Sequence, residues 1–375
     1  MTTGLQLQSN VTASGVLEIT LEDIEFPAPG ENEVLIRVEA SPVNPSDLGL
    51  LLAGADLSAS SSSGTPDRPK LTASLSPAGI AAVKARLDQP LPVGNEGAGV
   101  VVEAGDAPEA QALMGKTVAV LGGAMYAQYR VMPARNCLVL PDGVTPREAA
   151  SCFVNPLTAL GMVETMKLEG HSALVHTAAA SNLGQMLLKL CQTDGVPLVN
   201  IVRKQSNVDL LRALGAEHVC NSEAPDFLDS LTDALDKTGA TLAFDAIAGG
   251  PLASDILSCM ERVAARNPRP EDRYGSTTHK QVYLYGVLET GPTVLDRSYG
   301  MAWGVGGWLM PNFLTRIGAE RAGELRARVA REITGTFASE YTAEISLGGA
   351  LDAETARGYQ RKATGEKYLI APWME

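Results

Sequence analysis

Apolar and polar side chains alternate with a period of two along the first fifty residues. In "GVLEITLEDIEFPAPGENEVLIRVEASPVNPSD" (15–47) the alternation is clearest over Val34–Val38 and breaks at Pro and Gly, which predicts short antiparallel strands joined by turns. From about 54 to 90 the pattern lapses. "SASSSSGTPDRPK" (58–70) predicts a flexible polar loop and "SPAGIAAVKARLD" (76–88) a short helix opened by Ser76 and Pro77, so this stretch reads as an inserted surface excursion or lid. Strand patterning resumes at "GAGVVVEAG" (97–105), "GKTVAVLGG" (115–123) and "AQYRVMPARNCLVLP" (127–141), and "TPREAASCFVNPLTALGMVETM" (145–166) turns helical.

From residue 173 the period changes repeatedly between 2 and 3.6. Strands "ALVHT", "PLVNIVR", "EHVCN", "TLAFDAIA" and "QVYLYGV" alternate with helices "NLGQMLLKLCQ", "NVDLLRALG", "PDFLDSLTDAL" and "PLASDILSCMERVA", the grammar of a doubly wound parallel α/β sheet. "RNPRPEDRYGSTTHK" (266–280) reads as a second exposed insertion, within about 264 to 280. After "GWLMPNFLT" come a long helix over 318–337, a strand "EISL", a short helix from Asp352 and a last strand "KYLIA". The predicted organisation is a mainly antiparallel β domain, 1–153 with 313–375, and a central α/β domain, 154–312.

The length of 375 residues suits two domains at roughly 100–200 residues each. A net charge of −13 offers no general basic face, which argues against nucleic acid or an anionic membrane as partner and for a small-molecule substrate. "MTTGLQLQSN" lacks a signal-peptide pattern, and no apolar run approaches the roughly 20 residues that span a bilayer, so a cytoplasmic protein is expected. Cys137, Cys152, Cys191, Cys220 and Cys259 are scattered singly, as buried thiols are. His218 and Cys220 share a strand face without the further partners a metal or nucleophile site needs.

"SALVHTAAASNLGQMLLKL" (172–190) runs from a buried strand through very small residues into an amphipathic helix. Against G-x-G-x-x-G, the register ending at Gly184 places Ala179, Ser181 and Gly184 on the three glycine positions; a turn that merely packs would read the same way. Ser181 can also cap the following helix or donate to a phosphate. An NAD site expects a carboxylate roughly 20 residues further on, for the adenosine ribose. Here that place holds Arg203 and Lys204, a guanidinium fork and a second cation, which suit the 2′-phosphate of NADPH.

"ASPVNPSDLG", "LPVGNEGAGVVVEAG", "FVNPLTALGMV", the "AAASNLG" loop and "LLRALGAEHVCNS", in that order, resemble the medium-chain dehydrogenase/reductase superfamily over nearly the whole chain. The branch resembled is zinc-independent, that of NADPH:quinone oxidoreductases and 2-enoyl thioester reductases. Zinc-dependent members carry a cysteine in the first segment and Gly-His-Glu in the second, where this chain has "NPSD" with Pro45 and then Asn95 before Glu96; the four-cysteine lobe is absent too. No metal site is therefore expected. The resemblance implies a Rossmann-type doubly wound sheet plus a GroES-like antiparallel catalytic domain, a substrate cleft between the domains and a homodimer paired through an edge strand. It implies catalytic roles for Asn44 and Thr158 on the nicotinamide side of NADPH. Ala180, Ser181, Asn182, Leu183 and Gly184 would line the pyrophosphate, and Arg203, Lys204 and Ser222 would surround the 2′-phosphate. Ile247 and Ala248, with Tyr285, Gly286, Val287 and Leu288, would edge the cofactor cleft, also by their place beyond the carboxyl ends of parallel strands.

"GNEG", "VNPLTA", "VNIVR" and "VGGWLMP" lean towards the enoyl thioester reductases, with Trp308 as a wall of the substrate pocket. Those enzymes are expected to place a tyrosine shortly after the "NPSD" segment, yet Leu48–Val93 contains no tyrosine, histidine or cysteine. Tyr126 and Tyr129 read as structural residues of a strand. Reduction of a quinone or conjugated enone, which needs less help from a Lewis acid, is the first expectation. An enoyl-CoA or enoyl-ACP reductase, or a non-catalytic NADPH-binding regulatory module, are the alternatives.

Overall fold

The computed structural model describes residues 1–374 apart from 267, 269 and 271, so part of the second insertion lies outside the described residues. It forms two compact units, Met1–Val154 with Arg326–Glu375, and Asn155–Leu325. The second crossing falls inside the helix Met310–Glu332, where the sequence pattern set it at 312/313. That helix starts before Gly318, which is a break within it (φ 80°, ψ 167°) rather than its first residue.

The first unit holds two largely antiparallel sheets. Thr2–Val11 and Val16–Phe26 pair over their whole lengths, and Leu17, Ile19 and Leu21 point into the core while their neighbours face outward, as the period of two requires. The second sheet is built on Glu33–Pro42, flanked by Glu96–Ala104 and, near its end, by Tyr368–Ile370.

The Ser-rich stretch expected to be a loose lid is a β-hairpin. Asp56–Thr65 and Arg68–Ser74 pair antiparallel and extend the first sheet through Val16–Thr20. Serine gives no hydrophobic signal, but the hairpin buries Leu57, Leu71 and Ala73 on its inner side and leaves the serines on a solvated edge. Its position is fixed by the C-terminal helix Ala353–Gln360 and the turn before it. Ser62 Oγ donates to Leu351 O (3.2 Å) and accepts from Ala353 N (3.0 Å), and Arg357 Nη1 donates to Ser60 Oγ (3.2 Å). The expected helix follows at Pro77–Ala82, with Ser76 Oγ accepting from Gly79 N.

The second unit is an α/β sheet of parallel strands β1 (Leu174–Thr177), β2 (Leu198–Val202), β3 (His218–Asn221), β4 (Leu242–Asp245), β5 (Lys280–Leu284) and β6 (Trp303–Gly307), in the order β3-β2-β1-β4-β5-β6. The order reverses between β1 and β4, so the carboxyl ends of these two strands form the switch point where such sheets bind ligands. Helix α1 (Val154–Leu168) precedes β1 and α2 (Asn182–Asp194) follows it. Strand β6, "WGVGG", escaped sequence reading because three of its residues carry no side chain to show a period. A Cβ at Gly304 would overlap the Gln281 carboxamide of β5, which explains one of those glycines.

Candidate cofactor site and a buried polar cluster

The cradle after β1 is built with a single glycine. Ala178 carries the left-handed turn (φ 51°), one residue ahead of the Ala179 position that the motif register suggested; the strained conformation costs about 1 kcal/mol for a residue with a Cβ. Ser181 Oγ then caps α2 by accepting from Gly184 N (3.2 Å), and Gln185 Nε2 donates to Ala180 O (2.9 Å). Gly184 packs directly on the Ala179 carbonyl, which a Cβ there would overlap. Ser181 and Asn182 remain partly accessible at the helix N-terminus, where the helix dipole favours an anion, whereas Ala180 and Leu183 are buried behind them.

Beyond β2, Arg203 and Lys204 are both exposed and neither side chain forms an ion pair among the described residues. Ser222 joins them through its backbone, donating to Val202 O (2.8 Å). The three residues expected around a 2′-phosphate thus meet at one strand end.

At the switch point the organising residue is one that sequence reading passed over, Asp245, the last residue of β4. Its buried carboxylate accepts from Thr177 Oγ1 (2.7 Å), Ile247 N (2.9 Å) and Ala248 N (3.1 Å), while Thr177 Oγ1 accepts from Ala246 N (2.8 Å). This holds the Ile247–Ala248 loop, including Ala248 at φ 67°, against the end of β1. Tyr285 follows β5, stacks on the ring of His176 (centroids 5.6 Å apart) and shares a hydrogen bond with its Nε2 (2.7 Å). Burial pushes the His176 imidazole down to about 3, so it is neutral at physiological pH.

A cleft of about 620 Å³ opens in this unit. Its lining includes the expected Ala248, Tyr285, Gly286, Val287 and Trp308; Ile247 and Leu288 lie outside it. Trp308 is fixed by Nε1 donating to Thr165 Oγ1 (3.1 Å) and by edge contact with Phe244. Thr158 is buried on α1.

In the first unit, Asn44 belongs to a buried polar cluster. Asp47, three residues on, accepts from Asn44 N (2.8 Å) and Asn95 N (2.8 Å) and closes the turn. Glu96, wholly buried, accepts from Asn44 Nδ2 (2.7 Å) and from the backbone N–H of Phe153 (2.7 Å) and Val154 (2.9 Å). Burial drives the Asp47 carboxyl up to about 7, against its hydrogen bonds from Asn44 and Asn95. Burial also raises Glu96, the charge of Lys367 being the largest opposing influence; Lys367 in turn is brought down to about 8 by burial. Tyr126, facing Asp47, donates to Pro42 O (3.1 Å), and Tyr129 packs on Phe26 and Trp373.

Comparison with known proteins follows the same division. Residues 30–142 match the family model of the alcohol dehydrogenase GroES-like domain. A putative NADPH:quinone reductase from Mesorhizobium loti is 27% identical, with 99% of this chain and 100% of that chain covered and a TM-score of 0.73. The chain resembles the medium-chain dehydrogenase/reductases in its GroES-like region and in its fold. Among curated relatives, a mitochondrial enoyl-[acyl-carrier-protein] reductase of Caenorhabditis elegans is 27% identical over 65% of this chain and 64% of its own length. A synaptic vesicle membrane protein VAT-1 homolog of Rattus norvegicus is 28% identical over 60% of this chain and 49% of its own length. The chain therefore spans about half to just under two thirds of these curated relatives. CurK enoyl reductase, 16% identical with a TM-score of 0.68 and covering 97% of this chain and 98% of its own, shares the fold.

No group of three His, Cys, Asp or Glu side chains that could hold a metal occurs among the described residues. Nor is any helix among them long and apolar enough to cross a membrane. Cys220 is buried, its thiol pushed up by burial, and takes a hydrogen bond from Ser230 Oγ (3.7 Å). Of the site residues missed in the sequence, Asp47 had a signal, an acid three after an Asn–Pro turn, and Asp245 another, an acid ending an apolar strand. Lys367 had none, since its partners come from distant segments.

Proposed function

We propose that this protein is an NADPH-dependent oxidoreductase that works without zinc and reduces a quinone or other conjugated enone. The observation that carries the reading is the pair of exposed cations, Arg203 and Lys204, without an ion pair among the described residues, beside Ser222 at the end of β2, on a sheet whose cradle suits a pyrophosphate. The residues present fit that cofactor: the N-terminus of α2 with Ser181 for the pyrophosphate, and the guanidinium fork of Arg203 with Lys204 for the 2′-phosphate. When bound, NADPH supplies the hydride. Asp245 and Thr177 keep the Ile247–Ala248 loop in place along the cofactor's path, and Tyr285, Gly286 and Val287 border the cleft opposite Trp308. Asn44 and Thr158 are assigned to the nicotinamide side, on the family resemblance. The aromatic side chains of the lining suit a flat conjugated acceptor. Pro45 and Asn95, in segments where zinc-dependent relatives carry cysteine and histidine, favour an acceptor that needs no Lewis acid.

A 2-enoyl thioester reductase is the second reading, favoured by the curated enoyl-[acyl-carrier-protein] reductase relatives. Against it, Leu48–Val93 offers no tyrosine, and Tyr126 is tied to a backbone carbonyl within the first unit. The deciding assay follows NADPH oxidation with a short-chain quinone and a crotonyl thioester side by side, NADH serving as control. Turnover of quinone alone supports the first reading, thioester turnover the second, and NADPH binding without either a non-catalytic module. Arg203→Asp is expected to erase or reverse the preference for NADPH over NADH, and an unchanged preference would displace Arg203 from the 2′-phosphate. We also propose a cytoplasmic homodimer paired through the outer edge of β6; sedimentation of the full chain as a monomer at micromolar concentration would refute the pairing.

A further inference from the structure

The cleft of the second unit has aromatic side chains in its walls, Tyr283, Tyr285, Trp308 and Phe313, and a single charge: among the described residues that line it, Arg316 alone has an ionised side chain. Asn312, Phe313 and Arg316 come from the first part of the helix Met310–Glu332, ahead of its break at Gly318. Asn312 and Arg316 are four apart and so share a helix face, while Phe313 is buried against Trp308 (ring centroids 5.7 Å apart). Two residues before the break, a guanidinium also lies at the carbonyl end of a helical segment, which favours a cation. Glu169, just after α1, orients it. That carboxylate accepts from Arg316 Nη1 (3.0 Å) and, through both oxygens, from the Tyr283 hydroxyl (3.1 and 3.0 Å). An exposed ion pair contributes little to stability, so the contact matters more for where it holds the guanidinium than for folding. Of the five N–H donors of Arg316, Glu169 takes one and no other described residue takes any; the side chain is 58% exposed. The remaining donors form a planar fork that matches a carboxylate. We propose that Arg316 is a specificity residue and that the cleft takes a conjugated aromatic acceptor bearing a carboxylate, its ring among the aromatic side chains and its carboxylate on the Arg316 fork.

The inference rests on the reductase reading for its chemistry, but binding is tested apart from turnover. Benzoylpropionate and its methyl ester differ by one charge, and neither has a conjugated carbon–carbon double bond to reduce. Equilibrium dialysis against the full-length protein without NADPH is expected to give a Kd about tenfold lower for the acid than for the ester at low salt, as a charge-assisted hydrogen bond would. In Arg316→Met that ratio should fall to about one, and Arg316→Lys, which keeps the charge and loses the fork, should retain part of it. Glu169→Gln removes the counter-ion but leaves a carboxamide oxygen for Tyr283 and Arg316. It should raise the acid's advantage about threefold, a gain that a merely structural ion pair would not produce. Turnover is then read with benzoylacrylate and its methyl ester. A hydride taken from NADPH and a proton from water convert the acid into benzoylpropionate, and kcat/KM should favour the acid by a similar factor that is lost in Arg316→Met. Equal affinity of the wild type for acid and ester, or binding of neither, would overturn the proposal. So would an acid preference that survives in Arg316→Met, or a loss confined to NADPH affinity, which would assign Arg316 to the cofactor. Acid preference without any NADPH oxidation would leave the anion site standing and overturn the reductase reading instead. If Arg316→Met does not fold, the opposite shifts expected of Arg316→Lys and Glu169→Gln decide.

Discussion

At the scale of single residues, Gly184 sets how closely α2 can approach β1, because the Ala179 carbonyl occupies the space a Cβ would need. Gly184→Ala is therefore expected to cost about 1–3 kcal/mol through overpacking and to weaken NADPH binding by tilting the helix N-terminus, read by thermal melting and fluorescence titration. Asp47 makes a prediction in pH. Burial raises its carboxyl from 3.8 to about 7, so the folded state holds a proton that the unfolded chain has released. The stability this brings is full below pH 3.8 and is lost as pH rises through about 7. Asp47→Asn, which cannot ionise, should flatten the slope of melting temperature across that window. It should also lower stability by about 1–3 kcal/mol at low pH, since one carboxamide oxygen cannot serve both Asn44 N and Asn95 N as the two carboxyl oxygens do.

At the scale of elements, the hairpin Asp56–Ser74 is part of the first unit's core rather than a cover over a cleft. Leu71 is wholly buried there, and Leu71→Ala is expected to cost about 2–5 kcal/mol, measured by denaturant unfolding; a neutral result would mean the hairpin detaches freely. Where a segment buried one face or one stripe, its period was legible: β1 to β5, the helices between them, the Ser76 and Ser181 caps and the antiparallel start all follow from side-chain spacing. The hairpin and β6 were not, because serine and glycine leave no hydrophobic period, and both are held by pairing partners distant in sequence. The same reason divides the site. Arg203, Lys204 and the small-residue cradle are local in sequence and could be read there, whereas Asp245 and Lys367 gain meaning only from the segments that fold against them.

At the scale of the whole molecule, a net charge of −13 works against a polyanionic cofactor on average, whereas Arg203 and Lys204 place two positive charges together at the end of β2. Raising ionic strength is thus expected to weaken NADPH affinity more than NADH affinity, in titrations from low salt to about 0.5 M, where the screening length falls to a few ångströms. Equal salt dependence for the two would detach the basic pair from the 2′-phosphate. The glycine-poor cradle, finally, has a calorimetric consequence. Ala178 and Ala179 give the loop fewer backbone states than glycines would, at the expense of strain at Ala178, so little is left to be ordered when a pyrophosphate arrives. Cofactor association should consequently show a small entropic penalty, and an Ala178→Gly, Ala179→Gly cradle should bind with a larger one, trading native strain for motion that the ligand must then arrest.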